Sequence, residues 1–196
     1  MEEIKLSDDV FEQIKDFDHE ELTEEQELLI DKLILNEELK NRYKNYGLCK
    51  ECKQPITDYD GYCWCQSCNG KWFQQNFQNW TSGNHDIDEL IQQTQLNAKT
   101  YIEVMEWIEY DRFENIEYLA KGGFGTTYKA TWKDGFILSW DYENNQWERY
   151  NDDGNGKGVA LKSLNNSKDI TSEFLNEVMF KLQYNFNQCN FNQYLK

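Results

Sequence analysis

The sequence contains little proline, little histidine and few positive charges, and each shortage narrows the range of functions. One proline and 11 glycines in 196 residues do not suit a low-complexity linker, so we expect a folded chain. There are 20 Lys and Arg against 36 Asp and Glu, which gives a formal net charge of -16 at pH 7. An acidic surface repels nucleic-acid phosphates and anionic membranes, and no basic run offsets that repulsion. We therefore expect neither nucleic acid nor a membrane as a partner.

Long apolar runs are absent as well. No stretch approaches the roughly 18 apolar residues of a membrane span. The acidic start of the chain, residues 1–5, has no apolar segment of the kind found in secretory signals. These two absences predict an intracellular, cytoplasmic protein. In such a reducing compartment, the 6 cysteines favour metal ligation or free thiols over disulfides.

The sequence does contain many aromatic residues and a clear order of segments. With 7 Trp, 12 Tyr and 11 Phe, the chain has enough large side chains for a hydrophobic core. We expect an α+β fold whose parts are an acidic helical segment (1–46), a paired-cysteine segment with its connector (47–84), a linker helix (85–109) and a strand-rich part with one helix (110–196).

Two helices are predicted from capping and apolar periodicity. Thr23 and Gln26 form a capping box, an apolar stripe runs from Leu28 to Tyr46, and Gly47 is a suitable C-terminal stop. The acidic residues before this stripe are interpreted as a solvated face rather than a partner site. The second helix covers about residues 86–106, and its inward face is Ile87, Leu90, Ile91, Thr94, Ala98, Tyr101, Ile102 and Met105. The aromatic residues predicted to pack against the cysteine segment are Trp72, Phe73, Phe77 and Trp80.

The cysteines form two closely spaced pairs. Cys49-x-x-Cys52 and Cys65-x-x-Cys68 are typical of a zinc knuckle, in which four thiolates surround the metal at about 2.3 Å. Four sulfur ligands leave no position for a catalytic water, so the predicted zinc is structural. A redox dithiol and a group of bystander thiols are the alternatives. Cys63 is a fifth candidate that could substitute for a ligand, although a bystander thiol is the simpler interpretation. Cys189 is interpreted as a free core thiol and His85 as a loop residue.

A glycine-rich turn lies between two predicted strands. The strands are expected over residues 113–121, 126–132, 136–140, 146–150 and 158–164, the third and fourth forming an inserted hairpin. Gly122, Gly123, Phe124 and Gly125 join the first two strands, and Lys162 lies on the last. A helix is predicted over about residues 170–184.

The order of glycine turn, lysine strand and helix resembles the N-lobe of a protein kinase. The turn Ala120-Lys121-Gly122-Gly123-Phe124-Gly125-Thr126-Thr127 keeps the second and third glycines of the kinase motif, and Val159-Ala160-Leu161-Lys162 matches its lysine strand. With the paired cysteines upstream, the chain is similar to a large fungal family of tyrosine-kinase-like and serine/threonine kinases. The resemblance covers about three quarters of the chain.

The resemblance implies an ATP site and assigns roles to its residues. Lys162 would pair with the α- and β-phosphates, and Glu177 on the predicted helix would hold it, with Glu173 as a second choice. Thr127 takes the position that roofs adenine. The residues implied to bind ATP are Gly122, Gly123, Phe124, Gly125, Thr127, Ala160, Lys162 and Glu177.

The chain lacks the motifs that perform the kinase reaction. The catalytic loop requires His-Arg-Asp, yet the only histidines, His19 and His85, precede the glycine turn. Asp134-Gly135-Phe136 does not have the order of the magnesium-binding Asp-Phe-Gly. We therefore name no catalytic residue and expect a truncated kinase-like chain without phosphotransfer. The alternative is a non-catalytic scaffold or decoy with a structural zinc and a protein partner.

Overall fold

The computed structural model describes residues 5–58, 62–123, 125–151 and 154–164 and confirms a mixed α+β chain. Its helices are α1 (Asp8–Ile14), α2 (Glu24–Leu33), α3 (Glu37–Tyr46), α4 (Gln66–Asn76) and α5 (His85–Asn97). Its strands are β1 (Phe113–Lys121), β2 (Gly125–Trp132), β3 (Phe136–Asp141), β4 (Gln146–Tyr150) and β5 (Lys157–Leu164). In the part of the chain that is described, no helix combines the length and the apolarity that crossing a membrane requires.

The first helical segment folds differently from the single helix expected after Thr23. The capping box of Thr23 and Gln26 is confirmed, but α2 ends at Leu33. Asn36 then begins α3, because its side-chain oxygen accepts a hydrogen bond from Leu39 N at 2.9 Å. The break allows both helices to face one core, whose buried members are Leu6, Ile14, Ile30, Ile34, Leu39 and Tyr43. Gly47 ends α3 with a φ of 70°, as predicted.

Helix α5 is shorter than predicted, because a tertiary contact ends it. Its last residue is Asn97, and the backbone turns away at Ala98 with a ψ of 119°. The carbonyl of Ala98 accepts a hydrogen bond of 2.8 Å from the buried indole of Trp64. Ile87 and Ile91 are buried as expected, whereas Ile102 is 53% exposed, so its predicted inward position is wrong.

The strands form two small antiparallel sheets within the described residues. One contains β1, β2 and β5 in the order β1-β2-β5, and the other is the predicted inserted hairpin of β3 and β4. Gly135 begins the hairpin with a φ of 67°, and a Cβ there would lie 1.7 Å from the Tyr150 carbonyl oxygen. Only glycine fits this position without displacing the backbone of β4.

The inserted hairpin packs on α4. Trp140 stacks on Trp72 with ring centroids 4.4 Å apart, and Trp147 stacks on Phe73 at 4.3 Å. The prediction that four aromatic residues pack against the cysteine segment is confirmed for Phe73 and Phe77, which share a cluster with Trp64, whereas Trp72 stacks on Trp140 of the hairpin. Trp80 does not follow this prediction either, because it packs in the cluster of Ile87 and Ile91. The hairpin thus ties the cysteine-bearing half of the chain to the strand-rich half.

Candidate metal centre and glycine-rich hairpin

The two cysteine pairs lie on separate short turns. Cys49 N donates to Gln54 O at 2.8 Å, and Lys53 N donates to Cys49 O at 2.9 Å, which closes the first turn. In the second turn, Trp64 N donates to Asp58 O at 2.8 Å. Cys65 directly precedes α4, and Cys68 lies in its first turn. Each turn therefore presents one pair of thiols to the same space.

The four thiols of this cluster match a four-sulfur metal site. The Sγ atoms of Cys49, Cys52, Cys65 and Cys68 all lie within 4.8 Å of one another. Cys49 and Cys68 are separated by 3.8 Å between sulfurs, and Cys52 and Cys65 by 3.5 Å. A tetrahedral site with bonds of about 2.3 Å has sulfur–sulfur edges of about 3.8 Å. The cluster is thus already near the size that zinc requires.

The close approach of the four thiols gives them different pKa values. Hydrogen bonding to Cys49 raises the pKa of both Cys52 and Cys65, whereas hydrogen bonding from Cys52 lowers the pKa of Cys49. The pKa of Cys68 is also lowered, because the raising effect of Cys49 is outweighed by hydrogen bonding with Cys52 and Cys65. Cys49 and Cys68 are therefore favoured as thiolates at the expense of Cys52 and Cys65. A cation between the sulfurs removes this conflict, because all four can then ionise.

Arg42 and Thr57 support the cluster, although no sequence signal marked them. Arg42 on α3 donates through Nη2 to Pro55 O at 2.8 Å and to the Thr57 hydroxyl at 3.1 Å. The Thr57 hydroxyl also accepts from Gln66 N at 3.0 Å, at the start of α4. These bonds join both cysteine turns to the helices on either side. They connect positions that are distant in sequence and belong to no motif.

Cys63 and His85 lie outside the four-sulfur group. Cys63 is exposed, and its backbone has a φ of 49°. His85, expected in a loop, is instead the first residue of α5, and its side chain is 88% exposed. Cys189 is beyond the residues that the structure describes.

The glycine turn joins β1 to β2 as predicted. Gly122 N donates to Gly125 O at 2.8 Å, which closes the turn. Gly122 and Gly123 are exposed, and neither lies in the left-handed region of φ. A Cβ on Gly123 would meet nothing within 4 Å. The backbone does not itself demand glycine here, and the turn presents open main chain to solvent. Phe124 lies outside the described residues.

Lys162 and Thr127 face the same side of the sheet. They are direct partners in the antiparallel pairing of β2 with β5, and Ala160 is likewise paired with Lys129. Side chains of paired residues share a face, and the next pair, Tyr128 with Leu161, therefore lies on the opposite face. Thr127, Ala160 and Lys162 are half-buried. The structure thus brings together three of the predicted nucleotide-site residues, while Glu177 lies outside the described residues.

An apolar cavity of about 370 Å³ borders the sheet, and Lys162 is among its lining residues together with Tyr128 and Leu161 of the opposite face. The cavity lies where α5 and residues 105–110 meet the sheet, and Ile91, Trp107 and Leu161 are among its lining residues. Glu106 also borders it and forms an ion pair with Arg149 of β4, with an oxygen–nitrogen distance of 2.5 Å. No sequence motif indicated this junction, because its members come from separate segments.

Two groups of the described residues are thus candidate binding sites. The four cysteines could hold a metal ion, and Lys162 lies on the same sheet as an open glycine turn. Both depend on residues that the sequence had singled out. Comparisons with protein-family models, with curated proteins and with solved structures each found no match.

Proposed function

We propose that this chain is a protein-kinase-like nucleotide-binding protein whose paired-cysteine segment is held by a structural zinc. One observation carries the nucleotide part of the proposal. Lys162 pairs with Thr127, two residues after Gly125, so a cation and the glycine turn belong to one small sheet. This is the pair of features that protein kinases use to cover and neutralise the phosphates of ATP.

The proposed phosphate contacts follow from simple electrostatics. The Lys162 ammonium would pair with phosphate oxygens, and the absence of side chains at Gly122 and Gly123 would let a phosphate approach the main chain. Thr127 and Ala160 share the face of Lys162 and would lie beside the base. Phe124 and Glu177 keep the roles that the kinase resemblance implies for them.

Nucleotide binding without phosphotransfer is the expected behaviour of this polypeptide. Transfer needs a base for the hydroxyl and carboxylates that hold magnesium. The His-Arg-Asp and Asp-Phe-Gly motifs that supply these groups do not occur in the 196 residues. A protein substrate would therefore remain unmodified by this chain alone.

The Lys162→Ala variant tests the nucleotide site. We expect its affinity for a fluorescent ATP analogue, measured by polarisation, to fall about 10-fold or more, because a hydrogen bond to a charged group is lost. Lys129→Ala is the matched control. Lys129 is exposed and lies on the same face of the sheet as Lys162, on the neighbouring strand β2, where it is paired with Ala160.

Two results would contradict the nucleotide proposal. Equal losses in both variants would indicate general attraction of phosphate to lysine rather than a site. Absence of binding by the unaltered chain would reject the ATP site altogether.

Zinc is proposed as the metal because the donors are four sulfurs. Cys49, Cys52, Cys65 and Cys68 would be its ligands, and soft thiolates favour zinc over magnesium or calcium. With all four positions taken by sulfur, the ion would hold the two turns together and would not activate water. The four cysteines would therefore fix structure rather than perform chemistry.

A non-catalytic scaffold is the second candidate function, and an exposed apolar pair on β1 favours it. Tyr118 is 63% exposed and Leu119 is 55% exposed. Among the described residues, β1 pairs only with β2, so its other edge is available for a protein partner. Under this alternative, Leu119→Lys would reduce self-association measured by sedimentation velocity, and Lys162→Ala would have no effect on ATP titrations.

A further inference from the structure

The apolar cavity beside the sheet has the size and the lining of a small-molecule site. Its volume is about 370 Å³, and such sites commonly measure about 300–1,000 Å³. Helix α5 contributes Leu90 and Ile91 to the lining, and the sheet contributes Phe113, Ile116 and Tyr128. A cavity with these walls suits the apolar body of a ligand.

The charged groups that border the cavity differ in whether their charge is matched. Glu106 is paired with Arg149, with an oxygen–nitrogen distance of 2.5 Å. Glu109 is exposed, so water screens its charge, and it accepts a hydrogen bond of 3.0 Å from the Trp107 indole. Lys162 is half-buried, and the ion pairs among the described residues do not include it. Of these bordering groups, only Lys162 thus has neither a charged partner in the described part of the chain nor full solvation.

Lys162 borders the cavity because β5 lies at an edge of its sheet. Among the described residues, β5 pairs only with β2. Leu161 and Lys162 both line the cavity, although they lie on opposite faces of the strand. The cavity therefore extends along the open edge of β5. A lysine there can lay its methylene groups on apolar surface while its ammonium stays at the rim.

We propose that this cavity binds a small amphipathic anion, a carboxylate on an aliphatic chain, with the chain between α5 and the sheet and the carboxylate paired with Lys162. Removal of the apolar chain from water would drive binding. A charge-assisted hydrogen bond to the ammonium would fix the orientation of the head group. An organic cation would instead place like charge beside Lys162.

Lys162 also connects the cavity to the nucleotide site, and this part of the inference rests on the proposed function. A single ammonium that pairs with a carboxylate in the cavity is no longer available to the phosphates beside the glycine turn. The bound carboxylate should therefore weaken ATP binding, and ATP should weaken carboxylate binding by the same factor. The cavity would then regulate nucleotide binding.

Calorimetric titration of the full chain with octanoate and with octanol tests the site. The two probes have the same alkyl chain and differ in the charge of the head group. We expect octanoate to bind about 10-fold more tightly or better, because octanol lacks the charged partner of Lys162. Lys162→Ala should remove this difference, whereas Lys129→Ala, which alters an exposed lysine of β2, should keep it.

A second pair of variants locates the ligand. Leu90→Trp enlarges a lining residue of the cavity and should abolish octanoate binding. Leu28→Trp makes the same substitution at a side chain that is 70% exposed and should leave binding unchanged. Failure of the unaltered chain to bind octanoate, or equal affinities for octanoate and octanol, would overturn the proposal even if Leu90→Trp did not fold.

Competition separates this inference from the proposed nucleotide site. Octanoate should displace the fluorescent ATP analogue from the unaltered chain. Octanoate binding by a chain that binds no ATP would reject the nucleotide site and leave the cavity site standing. Simultaneous binding of both ligands without loss of affinity would overturn the regulatory role of the cavity.

Discussion

Replacing Cys65 with serine is expected to abolish zinc binding and to unfold the paired-cysteine segment. The small core there consists largely of the ligands themselves: its buried members are Cys49, Ile56, Cys65 and Cys68, with Tyr46 and Cys52 beside them. Without the metal, few apolar groups remain to hold the two turns together. Ligand binding stabilises the folded state by about 4 kcal/mol when the ligand is present at 1,000 times its Kd. For a chain of this size, that corresponds to a Tm lower by about 8–16 °C.

Thermal denaturation with and without a chelator measures this effect. The unaltered protein in chelator should resemble Cys65→Ser, and chelator should change nothing further in the variant. Cys63→Ser is the matched control, because Cys63 is exposed and lies outside the four-sulfur group. Equal Tm values for Cys65→Ser, Cys63→Ser and the unaltered protein would show that no structural metal is present.

The local features of this chain were predictable from the sequence. Pairs of cysteines three positions apart occupy one turn each, and their convergence follows from that spacing. The strands that flank the glycine turn were predicted because a turn signal lies between two β-prone runs. The pairing of Lys162 with Thr127 was not predictable in this way, because β2 and β5 are joined through the whole inserted hairpin rather than by a tight turn.

The long-range contacts were not predictable in the same way. The apolar stripe continues across the end of α2, so periodicity alone favoured one helix, although Asn36 carried a capping signal. Helix α5 ends at a hydrogen bond between Trp64 and Ala98, and neither residue is a helix terminator by type. With seven tryptophans, the sequence does not specify that Trp140 stacks on Trp72. Such pairs are selected by the packing of whole elements.

The Glu106→Ala variant should lower the free energy of unfolding by about 1.5–3 kcal/mol, the usual contribution of hydrogen bonds to a charged group, because its ion pair with Arg149 is partly buried. Glu106 is 14% exposed, and Arg149 donates to it at 2.5 Å as well as to Gly135 O at 2.7 Å. Without the carboxylate, the guanidinium stays in a confined site beside the Trp132 ring, 5.8 Å from its centroid. The junction between residues 105–110 and the inserted hairpin would then lose the carboxylate that binds the guanidinium directly, and only the attraction of Asp134 would remain.

Glu106→Gln distinguishes the charge of Glu106 from its hydrogen bonds. Burial raises the pKa of Glu106 despite the attraction of Arg149. A carboxyl whose pKa is raised on folding stabilises most below its unfolded pKa, and that contribution is lost as the pH rises through the folded pKa. The stability of the unaltered protein relative to Glu106→Gln should therefore be greater at pH 4 than at pH 7. Urea denaturation at both values measures this difference, with exposed Glu117→Ala as the control.

A Glu106→Ala variant within about 0.5 kcal/mol of the unaltered protein, the range of ordinary surface substitutions, would show that the ion pair does not stabilise the junction.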